Sequence, residues 1–140
     1  MESLTFDTGA LIALERRSMR MKSVVDAARL RQARITVPSP AIAEWWRGNS
    51  TVRRMVRAMI DVEPLDERVA KLAGEALASF QRGSAVDAAI TIDAIVMASA
   101  AQRGGVVYTS DVDDLQRFAA FFPTVRVLGV SGRAAPPPKS

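Results

Sequence analysis

The 140-residue sequence contains no cysteine and no histidine. Without cysteine there can be no disulfide and no thiolate ligand for zinc or an iron–sulfur cluster. Without histidine, the chain lacks the usual general base and the commonest transition-metal ligand. Any acid–base or metal chemistry must therefore come from carboxylates, and oxygen ligands favour Mg²⁺ or Mn²⁺.

The sequence also lacks a long hydrophobic run. Its longest weakly polar stretch, AAITIDAIVMASAA, is too short to span a bilayer and contains Asp93. Glu2 stands where a secretory signal would carry positive charge. We therefore expect a cytoplasmic protein that does not associate with membranes.

Hydrophobic residues make up 49% of the chain and charged residues 24%, which are ordinary values for a globular protein. The composition changes only in the tail SGRAAPPPKS, which contains three consecutive prolines. We therefore predict one domain over residues 1–130 and a disordered or extended tail over residues 131–140.

The formal net charge is +4, and the positive charge is concentrated in the first half of the chain. Eleven basic residues lie between positions 16 and 57, opposed there only by Asp26 and Glu44. Such a flank predicts binding to a polyanion, most naturally a nucleic acid, although a solvated basic surface is the plainer alternative. The eleven residues are Arg16, Arg17, Arg20, Lys22, Arg29, Arg31, Arg34, Arg47, Arg53, Arg54 and Arg57.

Short β-branched runs alternate with helical patterns along the chain. SLTF, ITVP, VVYT and VRVLGV are typical of strands, and stretches such as GALIALERR, AIAEWWRG and DAIVMASAAQRGG are typical of helices. Two further apolar repeats, at 52–60 and 69–80, predict helices, the second capped by Asp66. The pattern predicts an α/β domain with a mainly parallel sheet. It excludes an aspartic protease, a nearly all-β protein, despite the Asp-Thr-Gly at position 7.

Four acids are expected at one edge of this sheet. Asp7 and Asp111 directly follow strands, Glu44 lies in the first turns of the helix after ITVP, and Asp93 opens the helix DAIVMASAAQRGG. The carboxyl ends of parallel strands and the N-termini of their connecting helices meet at the same edge. Two carboxylates ~7 Å apart repel by roughly 2 kcal/mol, so such a cluster must be protonated or hold a divalent cation.

Each of these acids has a plainer interpretation. Asp7 and Asp111 can be helix caps, and Glu44 can be an acid on a helix surface. Asp93 is harder to explain in this way, because its neighbours are apolar and a lone buried carboxylate is unfavourable. Asp113 and Asp114 are weaker candidates, and Asp113 is the better of the two because it lies two residues beyond Asp111.

At these residues the sequence resembles the PIN-domain ribonucleases, specifically the VapC-type toxins of bacterial toxin–antitoxin modules. Four blocks match in order: FDTGALIAL, AIAEWWRG, IDAIVMASAAQRGG and VYTSDVDDL. The resemblance covers residues 3–130 and includes the interval of eighteen between Asp93 and Asp111 that is usual in the family. It implies a PIN-like three-layer α/β/α fold with a central, mainly parallel sheet.

The resemblance also implies a function. Asp7, Asp93 and Asp111 would be metal ligands for Mg²⁺ or Mn²⁺, Glu44 would join them as a catalytic residue, and Asp113 sometimes assists. The implied activity is hydrolysis of RNA phosphodiester bonds by an endoribonuclease that acts as a toxin. The implied partners are an RNA substrate, a cognate antitoxin protein and a second copy of the chain in a homodimer.

Further residues are candidates for binding RNA. Arg16 and Arg17 belong to the basic flank, and Arg47 is the basic residue nearest in sequence to Glu44. Trp45 and Trp46 depart from the family pattern, and we interpret one as a packing residue and the other as a possible contact for RNA or antitoxin.

Two other classes of protein remain as alternatives. The first is a nucleic-acid-binding or protein-binding module with a vestigial acidic pocket, which would bind RNA without needing a metal. The second is a phosphatase or receiver-like domain, which is disfavoured because Gly9 stands where its second acid should be.

Overall fold

A computed structural model of the chain describes residues 3–80 and 86–131. The predicted tail lies outside these residues except for Ser131. Within them, the α/β class predicted from the sequence is confirmed, and so is the three-layer arrangement.

The described residues form one five-stranded sheet in which every pair of neighbouring strands is parallel. The strand order is β3-β2-β1-β4-β5. Leu4 lies beside Ile35 on one neighbouring strand and beside Val106 on the other, which makes the first strand the centre of the sheet. The strands are β1 Leu4–Phe6, β2 Ile35–Pro38, β3 Asp61–Glu63, β4 Gly105–Thr109 and β5 Val125–Gly129.

Seven helices in the described residues cover the two faces of the sheet. The first four pack on one face and the last three on the other, each group forming its own apolar core with the strands. None of these helices is both long enough and apolar enough to cross a lipid bilayer. The helices are α1 Thr8–Glu15, α2 Met19–Leu30, α3 Ser39–Trp45, α4 Thr51–Arg57, α5 Glu67–Ala78, α6 Ala88–Arg103 and α7 Val112–Gln116.

Successive side chains along each strand point to opposite faces of the sheet, and so into different cores. Val106 packs into the core under α1 to α4, and its neighbour Val107 packs into the core under α5 to α7. Leu4 and Phe6 likewise face the first core. Since both faces are covered, the central strands are mostly apolar, with the buried threonines Thr5 and Thr109 as exceptions.

Two sequence predictions about the elements are wrong, and one strand was missed. Helix α6 begins at Ala88, and not at Asp93, because the Asp87 side chain caps it by accepting from the Ile90 N–H at 2.9 Å. Helix α4 ends at Arg57, before the apolar repeat is complete, and Met55 within it is 58% exposed instead of facing the core. Strand β3 was not predicted, since it has only three residues and two of them are acidic.

A polar cluster joins the edge strand β3 to the centre of the domain. Arg103 pairs with Glu63 and donates to the hydroxyls of Thr5 and Ser99, both at 3.0 Å. The Ser99 hydroxyl in turn donates to Glu63 at 2.7 Å. This cluster gives partners to a threonine that is only 1% exposed in the central strand.

Candidate active site at the carboxyl edge of the sheet

The strand order creates a crevice between β1 and β4. The chain passes from β1 to β2 on one side and reaches β4 on the other, so the connections diverge at this point of the sheet. Ligands of open α/β sheets bind at such points, beyond the carboxyl ends of the strands. Asp7 directly follows β1, and its N–H donates to the Tyr108 carbonyl of β4 at 3.2 Å. Asp7 and Asp111 therefore stand on the two sides of the crevice.

Asp7 is a buried helix cap. Its side chain is 7% exposed, and its Oδ1 accepts from the Ala10 N–H at 2.9 Å. Burial raises the pKa of Asp7 to about 6, and the negative charge of Glu44 adds to this effect. Hydrogen bonding from the Thr109 hydroxyl and from the Ala10 and Gly9 N–H groups opposes the increase without cancelling it. The charged form of Asp7 is therefore destabilised in the metal-free fold.

Asp93 projects from the second turn of α6 toward the same crevice. Burial raises its pKa to about 7, followed in importance by the negative charges of Asp7, Asp114 and Glu44. The positive charge of Arg117 acts in the opposite direction. Each of these charges acts on Asp93, so acids from three other elements lie within electrostatic reach of it.

Glu44 is held by the residue that follows Asp7. The Thr8 hydroxyl donates to Glu44 Oε1 at 2.6 Å, linking α1 to α3. Glu44 lies near the end of α3, not in its first turns, yet this helix is so short that the side chain still reaches the crevice. Its charge contributes to the raised pKa values of both Asp7 and Asp93.

Asp111 is also a helix cap, at the exposed rim of the crevice. Its Oδ1 accepts from the Asp114 N–H at 3.2 Å, and its own N–H donates to the Thr109 hydroxyl at 3.0 Å. A side-chain hydrogen bond with Asp111 is the largest of the causes that raise the pKa of Asp114. Asp113 is exposed on the same short helix.

Sequence reasoning missed the contribution of Arg117 and gave Asp114 a low rank. Arg117 pairs with Asp114 at 2.9 Å, and its guanidinium lies 5.7 Å from the centre of the Phe80 ring. The spacing of three residues between Asp114 and Arg117 was the available signal, but it becomes informative only once α7 is known to be helical.

The capping interpretation is thus correct for Asp7 and Asp111, and it is compatible with a metal site. Each cap bond uses Oδ1, and a carboxylate has about four lone-pair sites, so the cap bond alone does not saturate it. Among the described residues, no three acidic side chains are close enough to enclose an ion as they stand. These carboxylates nevertheless suit a hard divalent cation, which prefers oxygen ligands. A bound cation would also offset the unfavourable burial of their negative charges.

The predicted RNA-binding residues differ in their surroundings. Arg16, Arg17 and Arg47 are exposed, the last donating to the Glu44 carbonyl at 2.9 Å. Trp45 is a packing residue, 2% exposed, whose indole N–H donates to Glu15. Trp46 is half-buried and packs edge-on against Trp45.

No protein-family model and no curated protein matches this sequence. Solved structures do match over nearly the whole chain. DNA-bound VapBC from Salmonella typhimurium is 19% identical, with a TM-score of 0.66, over 94% of this chain and all of the other. VapBC2 from Rickettsia felis, bound to a promoter DNA fragment, is 12% identical, with a TM-score of 0.67, over 91% of this chain and 98% of the other. FitAcB from Neisseria gonorrhoeae is 18% identical, with a TM-score of 0.63, over 91% of this chain and 97% of the other.

The all-parallel five-stranded sheet with helices on both faces defines an α/β domain of the PIN-like fold class. Within that class, the particular likeness is to the VapBC and FitAB structures, so the resemblance found in the sequence to VapC-type proteins is confirmed for the fold.

Proposed function

We propose that this protein is an Mg²⁺- or Mn²⁺-dependent endoribonuclease that acts as the toxin of a toxin–antitoxin pair. The observation that carries the proposal is that the buried Asp7 and the half-buried Asp93 meet at one crevice, where burial destabilises the charged form of each and the charge of Asp7 adds to this effect on Asp93. Such a pair is unfavourable in a binding module and favourable beside a divalent cation. The PIN-like fold and the basic flank are consistent with RNA as the substrate.

The proposed roles follow from the surroundings of each side chain. Asp7, Asp93 and Asp111 would hold the cation, and Glu44 would orient the attacking water and accept its proton. Thr8 fixes the direction of the Glu44 carboxylate through its hydroxyl. When bound, the cation would neutralise phosphate charge and lower the pKa of a bound water.

The enzymatic part is tested by cleavage of structured RNA with Mg²⁺ or Mn²⁺. We expect cleavage by the wild-type protein, its loss in EDTA, and its loss in Asp7→Asn. Asp66→Asn is the matched control, because Asp66 caps α5 through the same kind of bond at an exposed position. Equal cleavage by wild type and Asp7→Asn would contradict the proposal. If the protein binds RNA without cleaving it, and EDTA does not change the binding, the result would instead support a binding module.

The toxin part rests on the likeness to VapBC and FitAB, which are toxin–antitoxin complexes. We expect expression of the chain to arrest growth and co-expression of a cognate antitoxin to restore it. A homodimer is part of the same proposal and is tested by light scattering. If cells that express active enzyme grow normally, the toxin role is contradicted and the nuclease role is unaffected.

A further inference from the structure

The sheet face that carries α1 to α4 is incompletely covered near the edge strand β5. Tyr108 of β4 and Leu128 of β5 lie side by side on this face, where both pack against the core under α1 to α4. Both remain half-exposed, and Arg126, two residues before Leu128 and therefore on the same face, is exposed. Parallel sheets are normally covered on both faces, so within the described residues this part of the sheet lacks a complete covering layer.

Helix α2 forms one wall of a cavity at this place. The cavity has a volume of about 460 Å³, and Tyr108 is the strand residue that lines it. Arg20, Val24, Ala27 and Arg31 line its helical side, and their spacings of four, three and four residues place them on one face of α2. We call this cavity the α2 groove. Its middle is apolar, and it has an arginine at each end.

The chain leaves β5 beside one end of the α2 groove. The Arg20 side chain donates to the Gly129 carbonyl at 2.8 Å, which holds the end of β5 against the first turn of α2. Val130 then enters the core under α1 to α4, where it is 7% exposed, and its N–H donates to the Thr109 carbonyl at 2.9 Å. The residues that follow therefore begin on the side of the sheet where the groove lies.

We propose that residues 132–140 fold back from the end of β5 and dock in the α2 groove, covering this part of the sheet. Their sequence, GRAAPPPKS, begins with a glycine directly after Ser131, and glycine after serine is typical of a chain reversal. Three consecutive prolines favour a polyproline II helix, which rises 3.1 Å per residue. The segment from Ser131 to Pro138 would then span about 22 Å, enough to follow the stripe from Arg20 to Arg31, which is about 17 Å long.

The chemistry of the segment also fits the groove. Prolines have no backbone N–H, so they can lie on Val24, Ala27 and Tyr108 without leaving donors unsatisfied. Grooves that bind polyproline segments are lined by aromatic side chains, as Tyr108 lines this one. The carbonyl oxygens of the segment can accept from Arg31 at the far end. Since both the groove and the segment carry positive charges, apolar contact drives the docking, which should persist at high salt.

The test places one reporter on each side of the proposed contact. Tyr108 is the only tyrosine in the chain, so 3-fluorotyrosine gives a single ¹⁹F resonance from the groove. Arg133 provides a trypsin site at the start of the segment, and intact mass measures the loss of residues 134–140. Each reporter is read against a substitution on the opposite side of the contact. Melting temperatures establish that each full-length variant is folded.

The segment is changed by replacing Pro136, Pro137 and Pro138 together by Gly, which removes the rigid run. We expect this variant to shift the Tyr108 resonance and to make it about threefold more sensitive to a soluble paramagnetic reagent, because the groove opens to solvent. Lys139→Gln, beyond the prolines, should leave both properties as in wild type.

The groove is changed by Ala27→Lys, which places a long charged side chain where the prolines would lie. We expect trypsin to remove residues 134–140 about tenfold faster than in wild type, at low and at high salt, because cleavage follows the population of the undocked segment. Ala70→Lys is the matched control, since Ala70 is an exposed alanine within α5, on the other face of the sheet. It should leave the cleavage rate unchanged.

Both reporters must respond for the inference to stand. If either responds only as its control does, residues 132–140 do not occupy the α2 groove. If the Tyr108 resonance depends on protein concentration and not on the prolines, a second copy of the chain covers this face and the inference is wrong. Neither measurement involves RNA or a metal, so the result is independent of the proposed nuclease function.

Discussion

Replacing Asp7 by Asn should make the metal-free protein more stable while removing its proposed activity. Asn is as good a helix cap as Asp, so the bond from the Ala10 N–H to residue 7 is kept. What the substitution removes is a negative charge that is 7% exposed and close to the charges of Asp93 and Glu44. The pKa of Asp93 should fall as a result.

The magnitude follows from the pKa of Asp7, which rises from 3.8 to about 6 on folding. Each pKa unit corresponds to about 1.4 kcal/mol, so the charged form lowers the free energy of unfolding by about 3 kcal/mol. Because the native pKa lies above that of the unfolded chain, this loss is complete above pH ~7 and absent below pH ~4. For a domain of this size, the melting temperature of Asp7→Asn should exceed that of wild type by about 6–10 °C at pH 8.

The measurement is thermal unfolding in EDTA at pH 4, 6 and 8, with Asp66→Asn as the control for an exposed cap. The difference in melting temperature between Asp7→Asn and wild type should grow with pH, and the difference between Asp66→Asn and wild type should not. Adding Mg²⁺ should raise the melting temperature of wild type more than that of Asp7→Asn, because the cation binds only the folded chain.

An Asp7→Asn protein that is less stable than wild type at pH 8 in EDTA would refute this reasoning. It would mean that the Asp7 carboxylate is stabilised by its hydrogen bonds more than it is destabilised by burial. The buried acid would then be a structural cap, and the main support for a cation site would be lost.

Three further substitutions test other contacts. Gly9→Ala should lower the free energy of unfolding by about 1–3 kcal/mol and reduce RNA cleavage, because its methyl group would clash with the Ser110 Oγ. Adding Ser110→Gly to this variant should partly restore both stability and cleavage. If neither is restored in unfolding and cleavage assays, the clash is not the cause. Thr8→Val should leave the melting temperature nearly unchanged but lower kcat about tenfold, since Glu44 loses its hydroxyl donor; an unchanged kcat would remove Glu44 from the mechanism. Arg103→Met should destabilise the fold by about 2–4 kcal/mol in urea unfolding, because it leaves a partly buried carboxylate of β3 unpaired, with no change in the RNA site.

Much of this protein is determined by the sequence alone. The absence of cysteine and histidine points its chemistry to carboxylates, because these are the remaining side chains that most commonly act as bases and as ligands of hard cations at neutral pH. The alternation of β-branched runs with apolar helical repeats determines the α/β class. Short β-branched runs fit strands, and apolar residues spaced three and four apart fit helices. The strand-ending positions of Asp7 and Asp111 determine that both lie at the carboxyl edge.

Only the tertiary structure decides which of these acids share an environment. The strand order places β1 beside β4, and parallel pairing between segments a hundred residues apart leaves no local signal in the sequence. Packing then buries Asp7 and half-buries Asp93, brings Asp114 and Arg117 close to Asp93, and leaves Asp113 exposed on α7. Burial and neighbouring charges are properties of the assembled fold, and for this reason the raised pKa values of Asp7 and Asp93 were not predicted from the sequence.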